Sequence, residues 1–238
     1  MRSERQVDAG LVAFAAALVA VLVGWNNVFI NRVPSGRASY VVANLAATCS
    51  LLFAARRAGL ATAELGLARR RLPAGLRWGG ACAAIVGTAY LIAVLVPSFR
   101  PLLTDDRVGG LDGGQVAYRV LVRIPLGTVL WEEVAFRGVL LAVLARLLPM
   151  RAAVAVSAVV FGIWHVRPTL GALEAYDVAA GPLLTSAAVV LACAGTAIAG
   201  VFFAWLRLRS GSLLAPVLLH LATNSLGTLA AAAAFALT

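Results

Sequence analysis

The sequence predicts an all-α fold: a polytopic transmembrane bundle of about seven helices, or eight if the long fourth segment is broken. Three observations carry that expectation. Of the 238 residues, 62% are hydrophobic and only 13% are charged, where a soluble domain is about 45–50% apolar and about a quarter charged. Mean hydropathy is +0.93. The apolar residues also fall into runs of about 20, the length that crosses a hydrocarbon core. No water-soluble fold buries that much apolar surface, so lipid is the solvent for most of the chain. Glycine and proline scattered through apolar sequence exclude a disordered chain.

The runs are Leu11–Ile30, Ala38–Ala55, Trp78–Val96, Val116–Leu148, Ala152–Val166, Leu183–Leu206 and Leu213–Leu237. Arg2 and Arg5 precede the first like the start of a signal peptide. Asn26, Asn27, Asn31 and Arg32 follow it in place of a small-residue cleavage site, so a retained helix is expected. Between the second and third runs, Arg56–Trp78 interleaves arginines with Leu60, Leu65, Leu67, Leu72 and Leu76. That pattern reads as an interfacial amphipathic element or, with equal weight, as a solvated loop. Cys49, Cys82 and Cys193 sit in separate apolar runs without CxxC spacing, as buried thiols would. No repeat or second composition class divides the chain. A single integral membrane domain over 1–238 is expected, its chemistry concentrated in 116–238.

Net charge is +10, and all 20 basic residues are arginine. Most lie between apolar runs, which suits topology-setting loops and excludes a nucleic-acid groove. With the N-terminus inside, twelve arginines (Arg2, Arg5, Arg56, Arg57, Arg69, Arg70, Arg71, Arg77, Arg146, Arg151, Arg207, Arg209) face the cytoplasm. Five (Arg32, Arg37, Arg100, Arg107, Arg167) face outward, beside Asp105, Asp106, Asp112, Glu174 and Asp177. The expected location is the cytoplasmic membrane of a prokaryote, N-terminus inside.

Charge within lipid costs about 2.5–3.5 kcal/mol per Asp or Arg on insertion scales and marks function by default. The fourth run holds Arg119 and Arg123 near its outer end, where they can snorkel, and Glu132, Glu133 and Arg137 deep inside. Glu133 and Arg137 are i, i+4 and can pair. Glu132 is turned about 100° from Glu133, free of that pair, and desolvation suits it to be a general base. The only two histidines are both intramembrane: His165 ends the fifth run, and His220 shares a face with Asn224 in the seventh. Polar groups in lipid face one another or a wet cavity, so these residues are expected to converge. There is no GxSxG elbow and no lysine. A carboxylate, two imidazoles and an amide suit hydrolysis of an amide by activated water, with hydrogen-bond donors for the oxyanion. Glu132, His165 and His220 are also zinc-type ligands. No HExxH is present, however, and the metal-free version is the favoured one.

Glu132-Glu133-x-x-x-Arg137, Phe161-x-x-x-His165 and His220-x-x-x-Asn224, in that order, resemble the three-motif signature of the CPBP family. These are the CAAX-type prenyl endopeptidases and bacteriocin-processing intramembrane proteases. The resemblance covers 116 to the C-terminus and implies that Glu132 and His165 activate water and that His220 and Asn224 form the oxyanion hole. Glu133, Arg137 and Phe161 would support the site. It also implies a peptide or protein substrate at the bilayer, lipidated or not, and leaves zinc as an alternative cofactor. A proton-coupled transporter would need repeat symmetry, which is absent; a non-catalytic immunity or scaffold protein would not need the intact motifs. One expectation conflicts with the rest. Counted along straight helices, His220 lies about 12 Å from the inner surface, but Glu132 and His165 lie roughly 20–24 Å from it.

Overall fold

The computed structural model describes residues 9–33, 36, 38–175 and 181–237; Arg2, Arg5, Arg37 and Asp177, used above for orientation, lie outside them. All regular structure among the described residues is helical. We label α1 Ala9–Gly24, α2 Ser39–Arg57, α3 Leu72–Leu95, α4 113–147, α5 Met150–Trp164, α6 Val166–Ala175, α7 Gly181–Ser210 and α8 Leu214–Leu237. Six helical stretches are long and apolar enough to cross a membrane. The remaining long helix is α4, which holds the buried charges. It is unbroken, so no eighth segment hides within it, although two stretches, Arg119–Val129 and Glu133–Leu140, are π-helical. Pro125, which has no N–H to give to the helix ladder, lies in the first of them.

Local sequence sets most of the boundaries. Asp112 and Gln115 form a reciprocal capping box that starts α4, with Asp112 Oδ1 accepting from Gln115 N at 2.8 Å. Pro149 separates α4 from α5, and Pro73 opens α3. α3 begins six residues before the expected Trp78, because Arg69–Arg71 form a single 3-10 turn that leads straight into it.

The 58–68 segment is neither an amphipathic helix nor a solvated loop. It is a folded-in turn, with Leu60 and Leu65 in the core. Arg146 donates to both Glu64 oxygens, at 2.8 and 2.7 Å, and to Gly59 O. Arg207 donates to Glu64 O, and Leu213 N to Gly66 O. Gly66 has φ +75, and a Cβ there would overlap the Arg207 guanidinium. This anchorage removes the depth conflict. The turn joining α7 to α8 is sunk into the protein, with Ser210, Ser212 and Leu213 buried, and α8 brings His220 Nε2 to 3.9 Å from Glu132 Oε2.

The second half of α4 is the central helix: Ala135, Phe136, Val139, Leu140 and Val143 have no exposed surface. Around it, α5 packs on α7 and α3 on α8. At Gly79 a Cβ would meet Ala215 O at 2.7 Å, and at Gly162 it would meet Cys193 O at 2.6 Å, so glycine sets both approaches. The outward faces are apolar, including Ile85, Leu191 and Ile198, as a lipid-solvated bundle requires. The cysteines follow this outer shell and not the core: Cys49 is exposed, and Cys82 and Cys193 are half-buried.

Glu64 lies outside the spans, and its hydrogen bonds from Arg146 hold its carboxyl below the ordinary 4.5. The folded state therefore binds that proton more weakly than the unfolded one. The bridge contributes fully above about pH 4.5 and is lost as pH falls through the depressed value. Thermal unfolding in detergent should show Glu64→Gln less stable than wild type at neutral pH by on the order of 0.2–1 kcal/mol. The two proteins should converge as pH falls below the depressed value; a difference independent of pH would contradict this account.

Candidate active site

α4, α5 and α8 bring the motif residues together. Glu133 is fully buried, and its Oε1 accepts from Arg137 Nη1 at 3.1 Å across one turn. The same oxygen lies 2.8 Å from His220 Nδ1. Arg137 has its guanidinium 3.9 Å from the centre of the Phe161 ring and 4.8 Å from that of Phe203. Phe203 also stacks on His220, with ring centres 5.2 Å apart. One buried ion pair and two aromatic rings thus fix the plane of His220. Cations over ring faces partly replace the water that Arg137 has lost.

Glu132 is separate from that pair, as its position on the helix implied. Its Oε1 accepts from Trp164 Nε1 at 3.1 Å. Its Oε2 is buried, has no hydrogen-bond partner among the described residues, and lies 3.9 Å from His220 Nε2. Trp164 is held by an aromatic series: Trp25, Trp131 and Trp164 have successive ring centres 5.7 and 6.3 Å apart, and Phe136 meets Trp164 edge-on at 5.4 Å.

His165 is the residue at which α5 ends, between Trp164 and Val166. Its Nδ1 is 2.8 Å from Phe161 O, and its ring meets Phe161 edge-on. A carbonyl only accepts, so Nδ1 carries the hydrogen, and the neutral ring has its lone pair on Nε2. At His220, too, Nδ1 carries a hydrogen, donated to a carboxylate oxygen already shared with Arg137. The chain break at His165 leaves backbone groups of α5 and α6 without helical partners. Two asparagines in the π turn that extends α1 (Trp25–Phe29) supply them. Asn26 Nδ2 donates to Trp164 O at 3.0 Å, Asn27 Nδ2 to Ile163 O at 3.0 Å, and Arg167 N donates to Asn27 Oδ1 at 2.9 Å.

Glu132, His165, His220 and Asn224 line one cavity of about 800 Å³, so the expected convergence is present. Asn224 sits in a fourth π stretch, Ala222–Leu226. Phe161 lines the cavity as well, and Glu133 and Arg137 pack behind that wall. Asn26, Asn27 and Trp164 were missed as site residues. Asn26 and Asn27 end an apolar run, where amides look like an ordinary surface signal, and Trp164 was legible only as the neighbour of His165. Among the described residues no three His, Cys, Asp or Glu side chains form a metal-type group. Both histidine Nδ1 atoms and Glu132 Oε1 are engaged by protein groups.

Long apolar helices around a buried carboxylate–imidazole cluster define an integral membrane protein with ionisable side chains in its interior. Residues 115–226 match the family described as Type II CAAX prenyl endopeptidase Rce1-like. That segment, slightly less than half of the chain, is similar to this family. No curated protein and no solved structure matches the chain.

Removing one partner of a buried ion pair leaves the other charge uncompensated. Arg137→Leu should therefore destabilise the protein by about 3–5 kcal/mol. Asn27→Ala, which removes hydrogen bonds at a half-buried turn, should cost about 0.5–1.5 kcal/mol for each bond lost. Thermal unfolding in detergent ranks the two; Arg137→Leu at wild-type stability would show that the pair is dispensable.

Proposed function

We propose that the protein is an intramembrane endopeptidase that cleaves a peptide bond of a membrane-associated substrate, lipidated at a CAAX-like end or not. The carrying observation is the single cavity lined by Glu132, His165, His220 and Asn224, with the ion pair of Glu133 and Arg137 behind it. Those four residues fall within the family-matched segment, 115–226. Supporting this reading, each group has a free atom suited to its step.

Water held between Glu132 Oε2 and His165 Nε2 gives up a proton as its oxygen attacks the substrate carbonyl. The oxyanion takes hydrogen bonds from Asn224 Nδ2 and from His220 Nε2, the latter requiring the doubly protonated ring because Nδ1 is committed to Glu133. Collapse breaks the C–N bond, and the proton taken from water passes to the leaving amine. Trp164 holds the other oxygen of Glu132 so that Oε2 faces the reaction. The same proposal puts the N-terminus in the cytoplasm and takes 1–238 as one domain.

The test is cleavage of a peptide library by purified protein in nanodiscs. Glu132→Gln should lower kcat by about 10²–10⁴, the usual worth of a general base. Asn224→Ala should cost about 10²–10³, as for one oxyanion donor. Activity should survive a chelator. Chelator-sensitive cleavage restored by zinc would overturn the metal-free mechanism, and full activity in Glu132→Gln would overturn the site.

A further inference from the structure

The cavity is open at one end of the bundle and closed at the other. From Glu132 its lining rises along α4 through Thr128, Arg123 and Arg119. At that end it is rimmed by Leu102, Thr104 and Asp105, in the connection between α3 and α4, and Leu102 is 82% exposed. Hydrogen bonds gather several helix ends around the rim. Arg119 Nη1 donates to Arg107 O at 2.7 Å, Arg100 Nη1 donates to Leu237 O at 3.0 Å, and the Tyr40 and Thr128 hydroxyls lie 3.2 Å apart.

The opposite end is plugged. None of the segments that connect helices there, 58–71, 148–149 and 211–213, contributes to the lining. The 58–68 turn is pinned by Arg146, Arg207 and Leu213, and α4 is buried at every residue from Glu133 to Leu144. Charge divides along the same line. The plugged end has six arginines in 56–77 together with Arg146, Arg151, Arg207 and Arg209, and those segments hold one carboxylate, Glu64. The rim end has Arg32, Arg100, Arg107, Arg119 and Arg167, beside Asp105, Asp106, Asp112 and Glu174.

We propose that the active-site cavity opens away from the cytoplasm, and that its substrate is an unfolded segment of an exported or membrane-anchored polypeptide. Arginines in short connections stay on the cytoplasmic side of a membrane, where anionic lipid also attracts them. Ten arginines against five put the plugged end inside, so the rim faces out. A polypeptide approaching from the cytoplasm would have to part the packed turns of α4 beyond Glu133; one on the far side meets a rim already exposed. The cavity also sets the form of the substrate. Arg119 and Glu132 are thirteen residues apart, at most about 20 Å at 1.5 Å per residue. An extended chain covers about 3.3–3.6 Å per residue, so up to about six residues must be free of secondary structure to reach Glu132. A volume of about 800 Å³ admits no folded domain. That the occupant is a peptide rests on the peptidase reading; the side on which the cavity opens does not.

The experiment reads the opening apart from turnover. Full-length single-cysteine proteins, with Cys49, Cys82 and Cys193 replaced by alanine, are treated with a membrane-impermeant maleimide on intact bacterial spheroplasts and again after lysis. Leu102→Cys at the rim and Thr128→Cys inside the cavity should label fully on intact spheroplasts, and Arg70→Cys at the plugged end only after lysis. Asp106→Cys, exposed on the same connection as Leu102, is a second rim position should Leu102→Cys fail to accumulate. Labelling of Arg70→Cys on intact spheroplasts overturns the proposal, as does a rim or cavity thiol that reacts only after lysis. So does a Thr128→Cys thiol that never reacts, since the cavity is then shut to water from both sides. A quenched fluorescent peptide added to spheroplasts holding the wild-type protein, with Glu132→Gln as background, should be cleaved before lysis. Cleavage that begins only on lysis sinks the outward opening and keeps the peptidase. Outward labelling with no cleavage of any peptide, before or after lysis, sinks the peptidase reading and leaves the opening in place.

Discussion

The buried contact between Arg137 and Glu133, extended by His220, is the constraint to which the rest of this structure answers. A bundle solvated by lipid gains little from hiding apolar surface, since its outside is as greasy as its inside. What it cannot tolerate is a charge without a partner, and α4 brings three charges to its centre. Glu133 and Arg137, both on α4, neutralise each other, and Glu133 also holds a second helix, α8, through His220. Phe161 and Phe203 cover the guanidinium, which places α5 and α7. One ion pair therefore sets the register of four helices, and Glu132, one residue away, is left outside the neutralised group.

Much of this was legible in the sequence, for a physical reason. Lipid imposes a length on spanning runs and a cost on charge, so the helices appear as apolar stretches, and the site appears as the places where that rule is broken. Glu132, Glu133, Arg137, His165 and His220 stand out on those grounds alone, and the i, i+4 spacing separated the paired glutamate from the other.

The rest depends on contacts between residues far apart in the chain. Leu60 and Leu65 look alike whether they face a membrane surface or a core; only the hydrogen bonds of the 58–68 turn to Arg146, Arg207 and Leu213 decide it. The same contacts sink the start of α8, which is why counting residues from an assumed surface misplaced His220. Asn26 and Asn27 were visible but read as the end of a helix, because their partners lie more than a hundred residues away.

Those two asparagines bear on what can be inherited or transplanted. The segment that carries the family likeness begins at 115, yet the break that presents His165 is closed from α1, and Tyr40 enters the cavity from α2. A graft of the likeness alone would carry every signature residue and leave behind the parts that hold one of them in place. Modularity in this protein therefore stops short of its recognisable half: the unit that could be swapped, split or evolved independently includes the first two helices, which no motif marks.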